Sequence, residues 1–188
     1  FTKMIHEIYN LINEADAIIT YNGKRFDMPT LNKEFLLQKL PPPSPYKDID
    51  LLTTARGKFK FASNKLDYIA QMLGVGKKTS HEGMPLWIEC MSKNPKAWRL
   101  MKKYNIQDVK LTEEVYYKLQ GWINIHPNYN IEKEDLVCPN CGSTHLHRKG
   151  YQKSLTNTYQ RLHCQKCGKW SRAKISLKKN KSKSAIPI

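Results

Sequence analysis

Two acid-bearing segments and two cysteine pairs carry the residue types that could do chemistry in this chain. Asn22-Gly23-Lys24-Arg25-Phe26-Asp27 places an acid after a glycine-containing turn that follows an apolar run. Tyr104-Asn105-Ile106-Gln107-Asp108 places a phenol and a carboxylate at i and i+4, on one face of a helix. An acid where a strand gives way to a helix stands at a sheet's edge. Carboxylate oxygens are hard ligands that suit Mg²⁺ or Mn²⁺, and a phenol beside one can orient a water. Each piece also has a plainer reading. Asp27 can cap the helix that starts near Pro29, Asp108 can be an exposed helix acid, and Tyr104 a core aromatic.

The cysteines are spaced as Cys138-Pro139-Asn140-Cys141-Gly142 and Cys164-Gln165-Lys166-Cys167-Gly168, with 22 residues between the pairs. Each knuckle brings two thiolates to one tetrahedral ion, and its glycine permits the tight turn behind the second Cys. The intervening segment is long enough for a β-hairpin that joins the knuckles. The expected ligands of one Zn²⁺ are therefore Cys138, Cys141, Cys164 and Cys167. With four thiols present, His145, His147 and His163 read as surface donors. A segment this small buries little core, so metal binding supplies most of its folding energy. Cys90, outside the pairs, reads as a buried small apolar residue.

Charge is unevenly spread. The net charge is +16, and from Cys138 onward there are 12 Lys/Arg and no Asp/Glu. A basic block of this kind suits a polyanion, most simply nucleic acid, or else forms a solvated tail. Cations and aromatics interleave within it, as phosphate contacts and base stacking require. Lys149, Tyr151, Arg161, Trp170 and Arg172 are the candidate contacts; the alternative is a purely structural module.

The elements that must position these residues follow from periodicity. Ile5, Ile8, Tyr9, Leu11 and Ile12 recur at helical spacing over residues 1–14. Ala17 to Tyr21 is a β-branched apolar strand that ends at Asn22-Gly23. A helix follows through Leu31, Phe35, Leu36 and Leu40 to Pro41-Pro42-Pro43. Lys47 to Leu52 reads as a strand running into a short helix, with Asp50 at the strand end. Leu66 to Leu73 reads as a helix closed by Gly74. Gly76 to Gly83 is a basic, glycine-flanked loop in which His81 stands out, and Pro95 opens a long helix. Helices alternating with buried strands predict an α/β layer domain with few strands for its helices. The expected organisation is an α/β domain over 1–123, a linker over 124–136, a small β module over 137–173 and a basic tail over 174–188.

No apolar run approaches the ~18 residues of a membrane span, and no secretory signal opens the chain, so a cytoplasmic protein is expected. The cysteine spacing without such a signal argues for metal, not disulfides. Residue 1 is Phe, which suggests a fragment, an internal start or the downstream part of a split reading frame.

Residues 1–120 resemble the tyrosine branch of DEDD-type 3′–5′ exonucleases, which have the ribonuclease H-like fold. The resemblance lies in Ala15 to Pro29, in Asp48-Ile49-Asp50-Leu51-Leu52 after the proline-rich loop, in Ser63 to Ala70, and in Tyr104 to Asp108. It extends to phage-encoded proteins with a C-terminal zinc ribbon. It implies that Asp27 and Asp108 hold Mg²⁺ or Mn²⁺, that Tyr104 orients the attacking water, and that Asn22 shapes the substrate cleft. The family's first motif, Asp-x-Glu on an opening strand, is absent here; upstream of Asp27 the acids are Glu7, Glu14 and Asp16. The domain is therefore expected to be N-terminally incomplete, and the chain itself to be an inactive fragment. The expected role is nucleic-acid trimming, on DNA ahead of RNA, in phage or bacterial DNA metabolism beside replication or repair proteins. The rival reading is a non-catalytic nucleic-acid-binding protein with a degenerate nuclease fold and a working zinc ribbon.

Overall fold

The computed structural model describes residues 1–78, 83–131 and 135–179; His81 lies outside them. The chain divides into two compact units, Phe1–Leu119 and Gln120–Ile188. No helix among the described residues is long and apolar enough to cross a membrane.

Among the described residues, the first unit is built from six helices and one pair of strands. Helix α1 (Thr2–Glu14) turns Ile5 and Ile12 inward, as its periodicity requires. They meet Met28 and Phe35 of α2 (Asp27–Leu37) in one buried cluster. Tyr9 sets its ring edge-on to Phe35 at 5.3 Å between centroids, a favoured aromatic geometry. Between these helices, β1 (Ala17–Thr20) runs parallel to β2 (Lys47–Asp50), with Ala17 opposite Lys47 and Thr20 opposite Asp50. Two short parallel strands cannot be stable unsupported, so the helices must supply the core. Among the described residues β1 pairs only with β2.

Helix α3 (Leu51–Lys58) follows β2 without a loop, and α4 (Leu66–Met72) ends in a Schellman turn. Gly74 there takes φ 67°, and Val75 N–H reaches back to Ala70 O at 3.0 Å. Helix α5 (Met84–Met91) packs Leu86 and Cys90 against Ala97 and Met101 of α6 (Pro95–Leu119).

Three elements differ from the sequence expectation. Helix α2 begins at Asp27, and Asp27 does not cap it: the residue before the helix is Phe26, which makes no side-chain cap. Strand β2 stops at Asp50, because its carboxylate caps α3 and turns Leu51 and Leu52 into helix. Helix α5 had no counterpart in the sequence reading; Pro85 in its first turn is its start signal.

In the second unit, β3 (Leu146–Lys153) and β4 (Asn157–Cys164) form an antiparallel hairpin. Strand β5 (Trp170–Arg172) pairs with β4 through Arg161–His163, and β6 (Lys178–Lys179) pairs with Asn157 and Thr158. The β3–β4 register shifts between Arg148 and Tyr151, where Gly150 takes φ 66°, the residue type such a bulge favours.

Asp50 ties the first unit together. It is only 6% exposed. Its Oδ1 accepts from Asn22 N–H and Leu52 N–H, both at 2.9 Å, and its Oδ2 accepts from Lys24 N–H at 3.3 Å. Asp48, on the same strand, has a buried Oδ1 with no partner. Burial pushes its carboxyl up from 3.8, Lys24 opposes the rise and Asp50 adds to it. Any stability it contributes is therefore present below pH 3.8 and lost as the pH rises through the raised value. Asp50→Ala should lower unfolding free energy in urea by about 3 kcal/mol, since three N–H groups lose a charged acceptor. Asp48→Asn should be neutral or stabilising at pH 7. Equal losses at the two positions would refute this division of roles.

Candidate functional site

Strand β1 delivers the chain to a sharp turn. Asn22 adopts φ 70°, a conformation Asn tolerates better than most residues. The next position must be glycine, because a Cβ on Gly23 would lie 2.5 Å from Thr20 Cβ. Asp50 then fixes the turn by accepting from Asn22 and Lys24, and the chain enters α2 at Asp27. This local path directs Asn22 and Asp27 into a cavity of about 1130 Å³.

The opposite wall is one face of α6. Asn105, Asp108, Val109, Thr112 and Tyr116 line it, at the three-to-four-residue spacing of a helix stripe. Val109, an apolar position of the long helix, is 69% exposed for this reason. The cavity thus brings together Asn22, Asp27 and Asp108. Tyr104 packs against the α5–α6 cluster and joins the site through Lys78. The Lys78 ammonium donates to Asp108 Oδ2 at 2.6 Å and to Tyr104 OH at 3.2 Å. Burial works against the ammonium charge, but Asp108 and Tyr104 outweigh it and hold the Lys78 pKa above its ordinary value. Lys78 is the residue that sequence reasoning missed. Its signal was its place in the basic, glycine-flanked loop. The backbone N–H of Lys78 also donates to Asp67 Oδ1 at 2.6 Å, which fixes the loop's start beside α4.

Three buried oxygens lining this cavity have no hydrogen-bond partner: Thr20 Oγ1, Asn64 Oδ1 and Asp108 Oδ1. Buried polar atoms of this kind call for a ligand or water. Tyr21 OH donates to Asn64 O at 2.7 Å. Burial first, and then Asp50, push its pKa up to about 12, so it remains a neutral donor at physiological pH. The orphan oxygen of Asp108 suits a cation. The rest of the ligand set does not, because outside the cysteines no three acids or histidines converge among the described residues. Asp50 cannot help, since its oxygens are taken by backbone N–H groups. Asp27 and Asp108 by themselves therefore do not fit a two-cation centre.

The second unit presents a different site. The sulfurs of Cys138, Cys141, Cys164 and Cys167 lie within 4.8 Å of one another. Cys138 and Cys167 are 3.7 Å apart, and Cys141 and Cys164 are 3.6 Å apart. Tetrahedral bonds of ~2.3 Å to one ion require sulfurs roughly 3.8 Å apart, so the set could hold zinc. Both knuckles close alike: Gly142 N–H reaches Cys138 O at 2.9 Å and Gly168 N–H reaches Cys164 O at 3.1 Å. Burial pushes the Cys141 thiol up. At Cys164 burial also opposes the thiolate, but N–H groups of Cys167 and Lys166 and the neighbouring cysteines outweigh it and lower the pKa to about 7. Asn140 braces the cluster, donating to Gln120 O at 3.0 Å and to Cys167 Sγ at 3.6 Å. A side chain at Gly121 would collide with the Cys167 carbonyl.

Of the candidate contacts on the module, the structure gathers Arg161, Trp170 and Arg172 on one face of β4 and β5. Lys149 adjoins them through its carbonyl, which accepts from Arg161 Nε at 3.3 Å. Tyr151 pairs with Gln160 and so lies on the opposite face. His163 and Tyr159 join the gathered face instead. His163 stacks on Trp170 at 4.5 Å, and Tyr159 carries Arg172 at 4.1 Å from its ring centroid.

A family model described as RNase_H superfamily matches residues 2–120. The chain belongs to the RNase H superfamily, a nuclease fold that implies interaction with nucleic acid. No curated protein matches the sequence.

Purified protein should contain about one zinc per chain by elemental analysis, and Cys164→Ser should lose it. Chelation should unfold the unit after Leu119, since the ion replaces a core. A metal-free module that keeps its fold would refute the zinc assignment.

Proposed function

We propose that this chain carries the downstream half of a 3′–5′ exonuclease site of the DEDD tyrosine type, acting on nucleic acid and on DNA ahead of RNA, with a zinc-bound module that holds the strand. The supporting observation is the meeting of Asn22, Asp27 and Asp108 around one cavity, with Tyr104 tied to Asp108 through Lys78. These are the positions that the family resemblance assigns to substrate, metal ligands and water. Arg56, Lys65 and Lys78 on the same walls supply positive charge for phosphates, and Tyr21, Tyr116 and Tyr117 supply rings for a terminal nucleoside. Two acids are too few for the chemistry, so the chain by itself binds 3′ ends and degrades them poorly.

A second reading, a non-catalytic nucleic-acid-binding protein, is favoured by one observation: Asp108 is already ion-paired with Lys78 at 2.6 Å. The two readings separate in an assay of nucleotide release from 3′-labelled single strands with Mg²⁺ or Mn²⁺. The chain alone should release little. The same chain with an added N-terminal strand carrying Asp-x-Glu should release 3′ label in a metal-dependent way. In that protein Asp108→Ala and Asp27→Ala should abolish release. Tyr104→Phe should be milder, about tenfold, because only a hydroxyl is lost. Inactivity of the extended, folded protein would favour the binding reading. Full activity of its Asp108→Ala variant would discard the exonuclease assignment.

A further inference from the structure

Arg161 and Arg172 are direct cross-strand partners in the β4–β5 ladder, so both point from the same face of the sheet. Like charges placed opposite each other destabilise a sheet, and no acid occurs after Asp135 to separate them. Each guanidinium rests instead on an aromatic ring. Arg161 lies 5.0 Å from the Trp170 centroid and Arg172 lies 4.1 Å from the Tyr159 centroid. The opposite side of β4 turns inward, with Leu162 3% exposed, while Trp170 is 45% exposed. The open face thus reads, along the strand, as ring, paired cations, ring. Tyr159 stands at one end, the Arg161–Arg172 pair in the middle, and the His163–Trp170 stack at the other end. Four residues of β4 span roughly 13 Å between the two aromatic stations.

We propose that this face is a binding site for single-stranded nucleic acid. A backbone phosphate draws Arg161 and Arg172 off their rings and relieves their repulsion, and unpaired bases stack on the faces of Trp170 and Tyr159 that the guanidiniums leave. Duplex bases are already stacked and cannot use the rings, so the site discriminates single strands from duplex. His163, the cross-strand partner of Trp170, holds the indole by its stack. The site rests on the reading of the module as a nucleic-acid holder, and it adds the strand class, the face and the register.

The test is fluorescence anisotropy with the zinc-loaded full chain and labelled 15-mers of oligo-dT, oligo-U and a duplex of the same length. Single strands should bind at least tenfold more tightly than duplex at equal salt. Trp170→Ala should weaken single-strand binding about tenfold or more, with Trp170→Phe retaining most of it. Arg161→Gln and Arg172→Gln should each lower affinity and reduce the salt slope by about one phosphate contact. Leu155→Ala, at the exposed hairpin tip, should stay within twofold. Zinc content serves as the folding control for each variant. Oligo-dT and oligo-U binding alike would show that the face reads stacking and phosphate only; a preference above about tenfold for either would require a contact to the 2′-hydroxyl or to the thymine methyl that the face does not provide and would overturn the register. Equal binding of duplex, or a larger loss at Tyr151→Ala than at Trp170→Ala, would overturn the site while leaving the module a nucleic-acid binder. No binding of any 15-mer would overturn both.

Discussion

The first unit depends on one buried carboxylate. Two four-residue parallel strands offer too few hydrogen bonds to hold a turn in a fixed shape, and the turn after β1 is the part that must be fixed. Asp50 does this by accepting N–H groups from both sides of the sheet end: Asn22 and Lys24 on one, Leu52 on the other. The same atoms cap α3 and set the entry to α2. One carboxylate therefore serves three backbone donors at the sheet's end. Its cost in desolvation is offset because every donor it meets is a backbone group that would itself be unsatisfied.

The second unit solves its stability problem by other means. Its buried apolar residues are few, with Ile123, Val137 and Leu162 the main ones beside the cysteines. Four sulfurs within 4.8 Å of one another take the place of a core, and polar braces surround them. Lys169 Nζ donates to Ile123 O at 2.6 Å, and Asn140 bridges Gln120 to Cys167. Sheet and knuckles are thus tied to the segment that opens the unit. With so little core, the sheet's open face carries no packing duty, which leaves its side chains available for contacts.

Much of this was legible in the sequence where the signal is local. Helical periodicity located α1, α4 and α6, and the cysteine spacing located the sulfur cluster. Asn22 and Asp108, both singled out by their spacing, line the cavity, whereas Tyr104 packs against the α5–α6 cluster. What escaped was set by pairing in three dimensions. Asp27 and Asp50 both stand where a strand gives way to a helix, and only the fold shows that Asp27 lines the cavity while Asp50 serves backbone donors. Lys78 carries no motif of its own, and only the approach of α6 shows that it engages Asp108 and Tyr104. Tyr151 and Tyr159 sit in similarly basic surroundings, and the Gly150 bulge sends Tyr151 to the opposite face from Arg161. Helix α5 was missed because its residues are mostly apolar without a clear stripe; Trp87, Ile88 and Met91 are exposed.

The two units handle charge in opposite ways, and this shapes what each can bind. In the cavity, cations and acids are both present, and the innermost pair is closed: Lys78 engages Asp108 and Tyr104 together. A ligand entering there must exchange for an existing ion pair, which favours one carrying both a negative group for Lys78 and a positive counterpart for Asp108. On the module there is no acid to exchange. Arg161 and Arg172 rest on rings, an interaction of only ~0.5–1 kcal/mol at exposed sites. A phosphate can displace such contacts without leaving a buried charge unpaired.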